Sequence, residues 1–384
     1  MARYFAAPGA TGNGLSWATV GDLQNLVSTI LAAPSRGGDE IWCQQGTYSL
    51  ATPLVINNNT EPLSIYGGFV GNELTLCDRN ANIDSLGYQT DFFQNPSILE
   101  GTGRNRVIDM QQANVCRIDG FVIRKGNAMT AATGFDGGGM RVDTSSRNIW
   151  LENLVFMDNE AGNWGGGFYG IGPWNLMIKN SIFFRNHATN GGGLYITDGV
   201  NTQLVNLLFN DNYLRTGTNR NGAAIHLEAN VSLKIINNTI SGNNGNITGS
   251  SDVYINQSDV EIYNSILYLD TLAVGAATPS LNVTIEHCCL FNNPFAPLPL
   301  PPFNLPIGTN PDFVNQASLA ASGDYHLRIN PPYPNTSPCI DSGNTNLIFP
   351  FALTDLEGNP RFIDNGLNPF TFPTGVDMGA LEVQ

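Results

Sequence analysis

The chain has 384 residues, 42% hydrophobic and 13% charged, with 42 glycines and a formal net charge of −15. That apolar content can fill a core, which excludes a disordered chain, and the acidity repels nucleic acid and anionic lipid, which excludes nucleic-acid partners. No window of 18 apolar residues is present, so neither a transmembrane helix nor membrane insertion is expected.

The opening Met1-Ala2-Arg3-Tyr4-Phe5 lacks the pattern of a signal peptide. Either the protein is cytosolic or its export signal lies outside this chain. The first regular element is expected at residues 19–33. There Thr19-Val20-Gly21-Asp22 resembles a capping box, and Leu23, Leu26, Val27, Ile30 and Leu31 fall on one helical face. We read this stretch as an amphipathic helix plugging the N-terminal end of a solenoid.

The solenoid declares itself by repetition. Asn153, Phe156 and Asn159 are followed by Gly165-Gly166-Gly167-Phe168. The pattern returns as Asn180, Phe183 and Asn186 with Gly191-Gly192-Gly193-Leu194, then as Asn206, Phe209 and Asn212 with Gly222-Ala223-Ala224-Ile225. Asn237 and Asn264 continue the leading position, with Ile240 and Leu267 three residues on. Gly120-Phe121 with Gly137-Gly138-Gly139-Met140 is a divergent earlier copy. Successive leading asparagines are 27, 26, 31 and 27 residues apart, and an apolar residue (Leu151, Ile178, Leu204, Ile235, Ile262) precedes each by two. Short runs between them alternate with period 2. These features predict an all-β fold, a right-handed parallel β-helix whose equivalent positions stack about 4.8 Å apart. The phenylalanines would line the core and the asparagines would hydrogen-bond amide to amide. Leucine-rich, helical-repeat and propeller folds lack support: the Leu-x-x-Leu-x-Leu pattern is missing, glycine is too dense, and hairpin turns are not evident.

Residues 1–293 are therefore expected to hold the β-helix and its N-terminal cap, with the clearest coils at 117–293. Residues 294–311 carry seven prolines and read as an extended crossing segment. Residues 312–384 read as a loop-rich C-terminal cap. The six cysteines have no zinc spacing, so their disulfide pairing is unreadable, and buried free thiols are an equal reading.

Several segments resemble bacterial right-handed β-helix surface proteins of the choice-of-anchor Q type. They are Tyr66-Gly67-Gly68-Phe69-Val70-Gly71-Asn72-Glu73 with Arg79, and Ser337-Pro338-Cys339-Ile340-Asp341-Ser342-Gly343. Asp355-Leu356-Glu357-Gly358-Asn359-Pro360-Arg361 and Val376-Asp377-Met378-Gly379-Ala380-Leu381-Glu382 match as well, as do Ile98-Leu99-Glu100-Gly101, Gly14-Leu15-Ser16-Trp17-Ala18, Asp39-Glu40-Ile41-Trp42 and Gly46-Thr47-Tyr48. The Phe-x-x-Asn and triple-glycine pair is similar to the passenger repeats of polymorphic outer-membrane autotransporters. The resemblance implies export and surface attachment through a separable anchor that this chain does not contain.

Catalysis finds little footing in the residue pattern. No paired aspartates, nucleophile elbow or phosphate loop appears, and the four histidines (His187, His226, His287, His326) are scattered. No catalytic residue, metal ligand or cofactor is assigned. One constellation stands out: Lys125, Asp158, Arg185 and Asp211 hold the same turn position on successive coils, with Glu160 and His187 two residues beyond Asp158 and Arg185. This ladder reads as a polar groove for a saccharide, or more plainly as surface ion pairs. The expected function is a non-enzymatic extracellular or cell-surface protein (adhesin, spacer or filament subunit) whose partners are glycans, other surface proteins or its own ends. The alternative is a carbohydrate-active enzyme, a polysaccharide lyase or hydrolase, or a glycan-binding relative of one.

Overall fold

The computed structural model describes residues 2–33, 37–59, 61–79, 93–130, 134–215, 217, 220–243, 251–268, 272–274, 282–291, 304–317, 323–329, 336–348, 352–361 and 375–383. The chain winds as a parallel β-helix, with the right-handed sense that governs crossovers between parallel strands. A long sheet runs through Ala2–Ala6, Asp39–Gln44, Leu63–Phe69, Asn114–Arg124, Arg147–Met157, Trp174–Phe184, Thr202–Asn210, Ser232–Ile236, Asp259–Tyr263 and Val283–Glu286. A second sheet stacks Leu54–Asn57, Ile108–Gln111, Met140–Val142, Phe168–Ile171, Leu194–Thr197, Ile225–Glu228, Val253–Asn256 and Leu272–Val274. A third, of two-residue strands, stacks Asn127–Ala128, Glu160–Ala161, His187–Ala188 and Tyr213–Leu214.

The register is the one the repeat predicts. Phe156 pairs with Phe183 and Phe183 with Phe209, ring on ring at 4.7 Å, and the column continues through Ile240, Leu267 and Leu290. Leu151, Ile178, Leu204, Ile235 and Ile262 form a second aliphatic column, and all of these side chains are buried. Asn159, Asn186, Asn212 and Asn243 form an internal amide ladder, each Nδ2 donating to the next Oδ1 at 2.8–3.0 Å. Each Oδ1 also accepts the backbone N–H of the preceding asparagine in the ladder, so buried polar groups are satisfied. The leading asparagines Asn153, Asn180, Asn206, Asn237 and Asn264 do different work. Each takes a positive φ of 47–55° that bends the long strand, a conformation asparagine tolerates better than other side chains. At the glycine corner Gly165 has φ +65°, and a Cβ on Gly166 would lie 2.4 Å from the Gly192 carbonyl oxygen of the next coil. Close backbone stacking therefore requires glycine there.

The N-terminal helix is shorter than expected, Leu23–Ala32. Its cap is Asp22, whose carboxylate accepts the Asn25 N–H at 2.9 Å; Thr19 instead closes a short 3-10 turn, Trp17–Thr19. Leu23, Leu26 and Val27 bury against the first coils. The Tyr66–Arg79 segment acts as a staple: the Glu73 carboxylate accepts the N–H groups of Val70, Gly71 and Asn72, and Arg79 pairs with buried Asp119 at 2.8 Å.

Of the proline-rich stretch, residues 294–303 lie outside the described residues; 304–311 bend and turn instead of running extended, with the Leu305 and Gly308 N–H groups donating to the Cys288 and Leu290 carbonyls and Thr309 N–H closing a turn on Pro306. The described parts of 312–384 lie along the outer flank of the long sheet. Phe313, Tyr325, Leu327, Leu356, Met378 and Leu381 pack on Val155, Ile182, Phe184 and Leu208, which alternation turns away from the core. Arg361, fully buried, donates to Asn206 Oδ1 at 3.0 and 3.2 Å and pairs with Glu382 at 3.3 Å. All six cysteines are free thiols, and all but Cys77 are buried.

Candidate functional site

Strand alternation gives the second sheet an outer face, and the coil register lines its residues into columns. The central column reads Val55, Asp109, Arg141, Tyr169, Tyr195, His226, Tyr254. Its rings stack along the rod: Tyr169 lies 5.6 Å from Tyr195, Tyr195 4.5 Å from His226, and His226 4.6 Å from Tyr254. Beside it runs Ile171, Thr197, Glu228 and Asn256. On the other side the turn column brings Trp164 over Asn190, and the Asn190 side chain accepts the Asn221 N–H at 2.9 Å. Between these walls lies an open cavity of about 650 Å³.

Because the rings cover one another's faces, they offer their polar edges to the groove. Among the described residues, the hydroxyls of Tyr169, Tyr195 and Tyr254 and the indole N–H of Trp164 have no hydrogen-bond partner. Burial pushes the Tyr169 phenol up to about 12 and raises Tyr195 and Tyr254 as well, so all three remain donors at neutral pH. Trp164 lies 5.9 Å from Tyr169 and 5.6 Å from Tyr195 and keeps 37% of its surface exposed. Both His226 nitrogens are engaged, Nδ1 with the Asn221 carbonyl and Nε2 with Glu228, each at 3.1 Å. The hydrogen bond from His226 holds Glu228 below its ordinary range. At the N-terminal end, Asp109 occupies both nearby guanidiniums, Arg106 and Arg141, at 3.1 Å each. Next to Trp164, burial pushes the Asp136 carboxyl up to about 6, and its Oδ1 is buried without a hydrogen bond.

The residues singled out from the sequence lie on another edge, along the third sheet. Arg185 grips Asp158 with two hydrogen bonds of 2.8 and 2.7 Å. Glu160 pairs with His187 at 2.9 Å and with Arg215 at 2.6 Å, and the His187 ring stacks on Tyr213 at 4.6 Å. Lys125 turns instead to Glu100, 3.1 Å away, and Asp211 shares the left-handed corner conformation of Asp158. Asp158 with Arg185 and Glu160 with His187 thus match one another within the ladder, whereas the groove offers unmatched donors. The histidines are less scattered than the sequence suggests: His226 and Glu228 share one face of a strand, and His326 lies between Asp324 and Glu357 at 2.7 and 3.2 Å. The groove had a sequence signal. Arg141, Tyr169, Tyr195 and His226 each stand two residues after the last member of the small-residue triplet.

No group of three or more histidine, cysteine, aspartate or glutamate side chains suited to a metal ion occurs among the described residues, and none of their helices is long and apolar enough to cross a membrane. No protein-family model matches the chain, and no curated protein does. Among solved structures it is similar to the deglycosylated pectin methylesterase from Aspergillus niger, at 10% identity and a TM-score of 0.39, over 86% of this chain and 91% of that one.

Proposed function

We propose that this protein is a saccharide-binding β-helix of the extracellular or cell-surface type, resembling choice-of-anchor Q surface proteins, and that the groove over the second sheet holds the glycan. The observation that carries this reading is the row of unpartnered phenol and indole donors along a cavity walled by Trp164 on one side and by Thr197, Asp198 and Glu228 on the other. Saccharides need such a surface: hydroxyls to match donors and acceptors, and one aromatic wall against their C–H faces. Binding is expected to be shallow and multivalent, with weak contacts adding along the rod. A glycan array followed by calorimetry tests it. Tyr195→Phe, which removes only the hydroxyl, is expected to weaken binding by roughly three- to tenfold, and Trp164→Ala by more. Unchanged affinity in both variants would discard the groove.

One observation favours the enzymatic alternative. A carboxyl held near pH 6 beside a groove can store a proton for a leaving group, as a general acid must. Release of reducing ends or unsaturated sugars that Asp136→Asn abolishes would establish catalysis; binding without product would leave the protein a lectin-like rod.

A further inference from the structure

The groove's charges are not balanced. Among its lining residues the carboxylates are Asp198 and Glu228, the basic residue is His226, and no lysine or arginine is present. Both His226 nitrogens are already committed, and Arg141 and Arg106 at the rim are held by Asp109. Glu228 is matched by His226 and by the Asn256 amide. Asp198 is different: its oxygens accept only from neutral groups, Thr197 Oγ1 at 3.3 Å and Asn230 Nδ2 at 3.0 Å. It is an exposed carboxylate at the mouth of the cavity, with no cation beside it among the described residues. A uronate, sulfate or phosphate entering here would meet like charge without a guanidinium or ammonium to receive it.

Resting on the groove as the saccharide site, we propose that its ligand carries free amino groups, a de-N-acetylated hexosamine chain, with an ammonium paired to Asp198 while the sugar hydroxyls accept from Tyr169, Tyr195 and Tyr254. The site therefore rejects uronate-rich polymers and takes neutral chains weakly.

Calorimetry on the full chain with glucosamine hexamer, cellohexaose and hexagalacturonate tests this, at low salt and again in about 1 M salt, where charges more than a few ångströms apart are screened. The glucosamine hexamer is expected to bind at least about fivefold tighter than cellohexaose, with hexagalacturonate undetected. Asp198→Asn should remove that advantage, bringing the two hexamers to within about twofold of each other, while leaving the melting temperature unchanged. Glu61→Gln, an equal charge change on an early coil, separates site pairing from general attraction to an acidic protein and should leave the advantage intact. If Glu61→Gln reduces it as much as Asp198→Asn, the pairing is overturned. Equal affinity for the two hexamers, lost in Trp164→Ala, would overturn the amino-sugar class yet keep the groove as a saccharide site. Absence of binding by all three would overturn both.

Discussion

Phe183 packs between Phe156 and Phe209 with both faces covered at 4.7 Å, and a rigid stack of coils has little freedom to close a hole there. Phe183→Ala is therefore expected to lower stability by about 3–5 kcal/mol, read as a reduced denaturation midpoint with unchanged slope. A loss under about 1 kcal/mol would mean that the column collapses around the gap, contrary to the close packing described. At this scale the sequence was most legible where a residue type repeats at fixed phase. The Phe column and the inner asparagine ladder are plain in the spacing because stacking demands the same shape on every coil. The groove column was harder to see because its residues change type from coil to coil: Arg141, Tyr169, Tyr195, His226, Tyr254. Their shared property, a ring or guanidinium plane that stacks, is geometric and not a matter of residue identity.

Among the elements, the segment carrying Asp341, Arg361, Asp377 and Glu382 is the most dependent on electrostatics. Asp355, Asp377 and Glu382 gather around the buried guanidinium of Arg361, and burial raises all three carboxyls, Asp377 to about 7 and Glu382 to about 9. Nearby, His326 is raised to about 10 by its two carboxylate partners, Asp324 and Glu357, against the opposing effect of burial. Each of these folded-state values exceeds the unfolded one, so folding retains protons and stability falls as pH rises. For the carboxyls the contribution is complete below about pH 4 and is lost through about pH 7 to 9; for His326 it is complete below about pH 6.5 and lost near pH 10. Hydrogen exchange in residues 336–348, 352–361 and 375–383 is expected to be slower at pH 6 than at pH 9.5 once corrected for the intrinsic rate, with the coils little affected. The opposite trend would contradict the assignment. Arg361→Ala, which leaves buried carboxyls without their cation, is expected to cost about 3–5 kcal/mol and to free this segment to proteolysis before the coils. The sequence marked these residues as a motif, but not their destination. That they lie on the flank follows from Val155, Ile182, Phe184 and Leu208, apolar residues on the outer side of the long sheet that need covering. The helix boundary was missed for a local reason: Asp22 competes with Thr19 as the cap and takes the Asn25 N–H.

Over the whole molecule, stacking produces two kinds of surface from one repeat. Along the third sheet it pairs opposite charges, Asp158 with Arg185 and Glu160 with His187, and leaves little for a ligand to engage. Along the second sheet it aligns polar ring edges and leaves their donors open. We therefore propose that recognition lies in the groove, although the ladder is the more conspicuous pattern in the sequence. The most direct test is a crystal structure of the full chain soaked with glucosamine hexamer. The account predicts sugar density running along the rod in the cavity between Trp164 and Glu228, with hydroxyls within hydrogen-bond distance of the Tyr169 and Tyr195 phenols and an amine beside Asp198. An empty groove at saturating ligand, with density along Asp158, Arg185 and His187 instead, would contradict it.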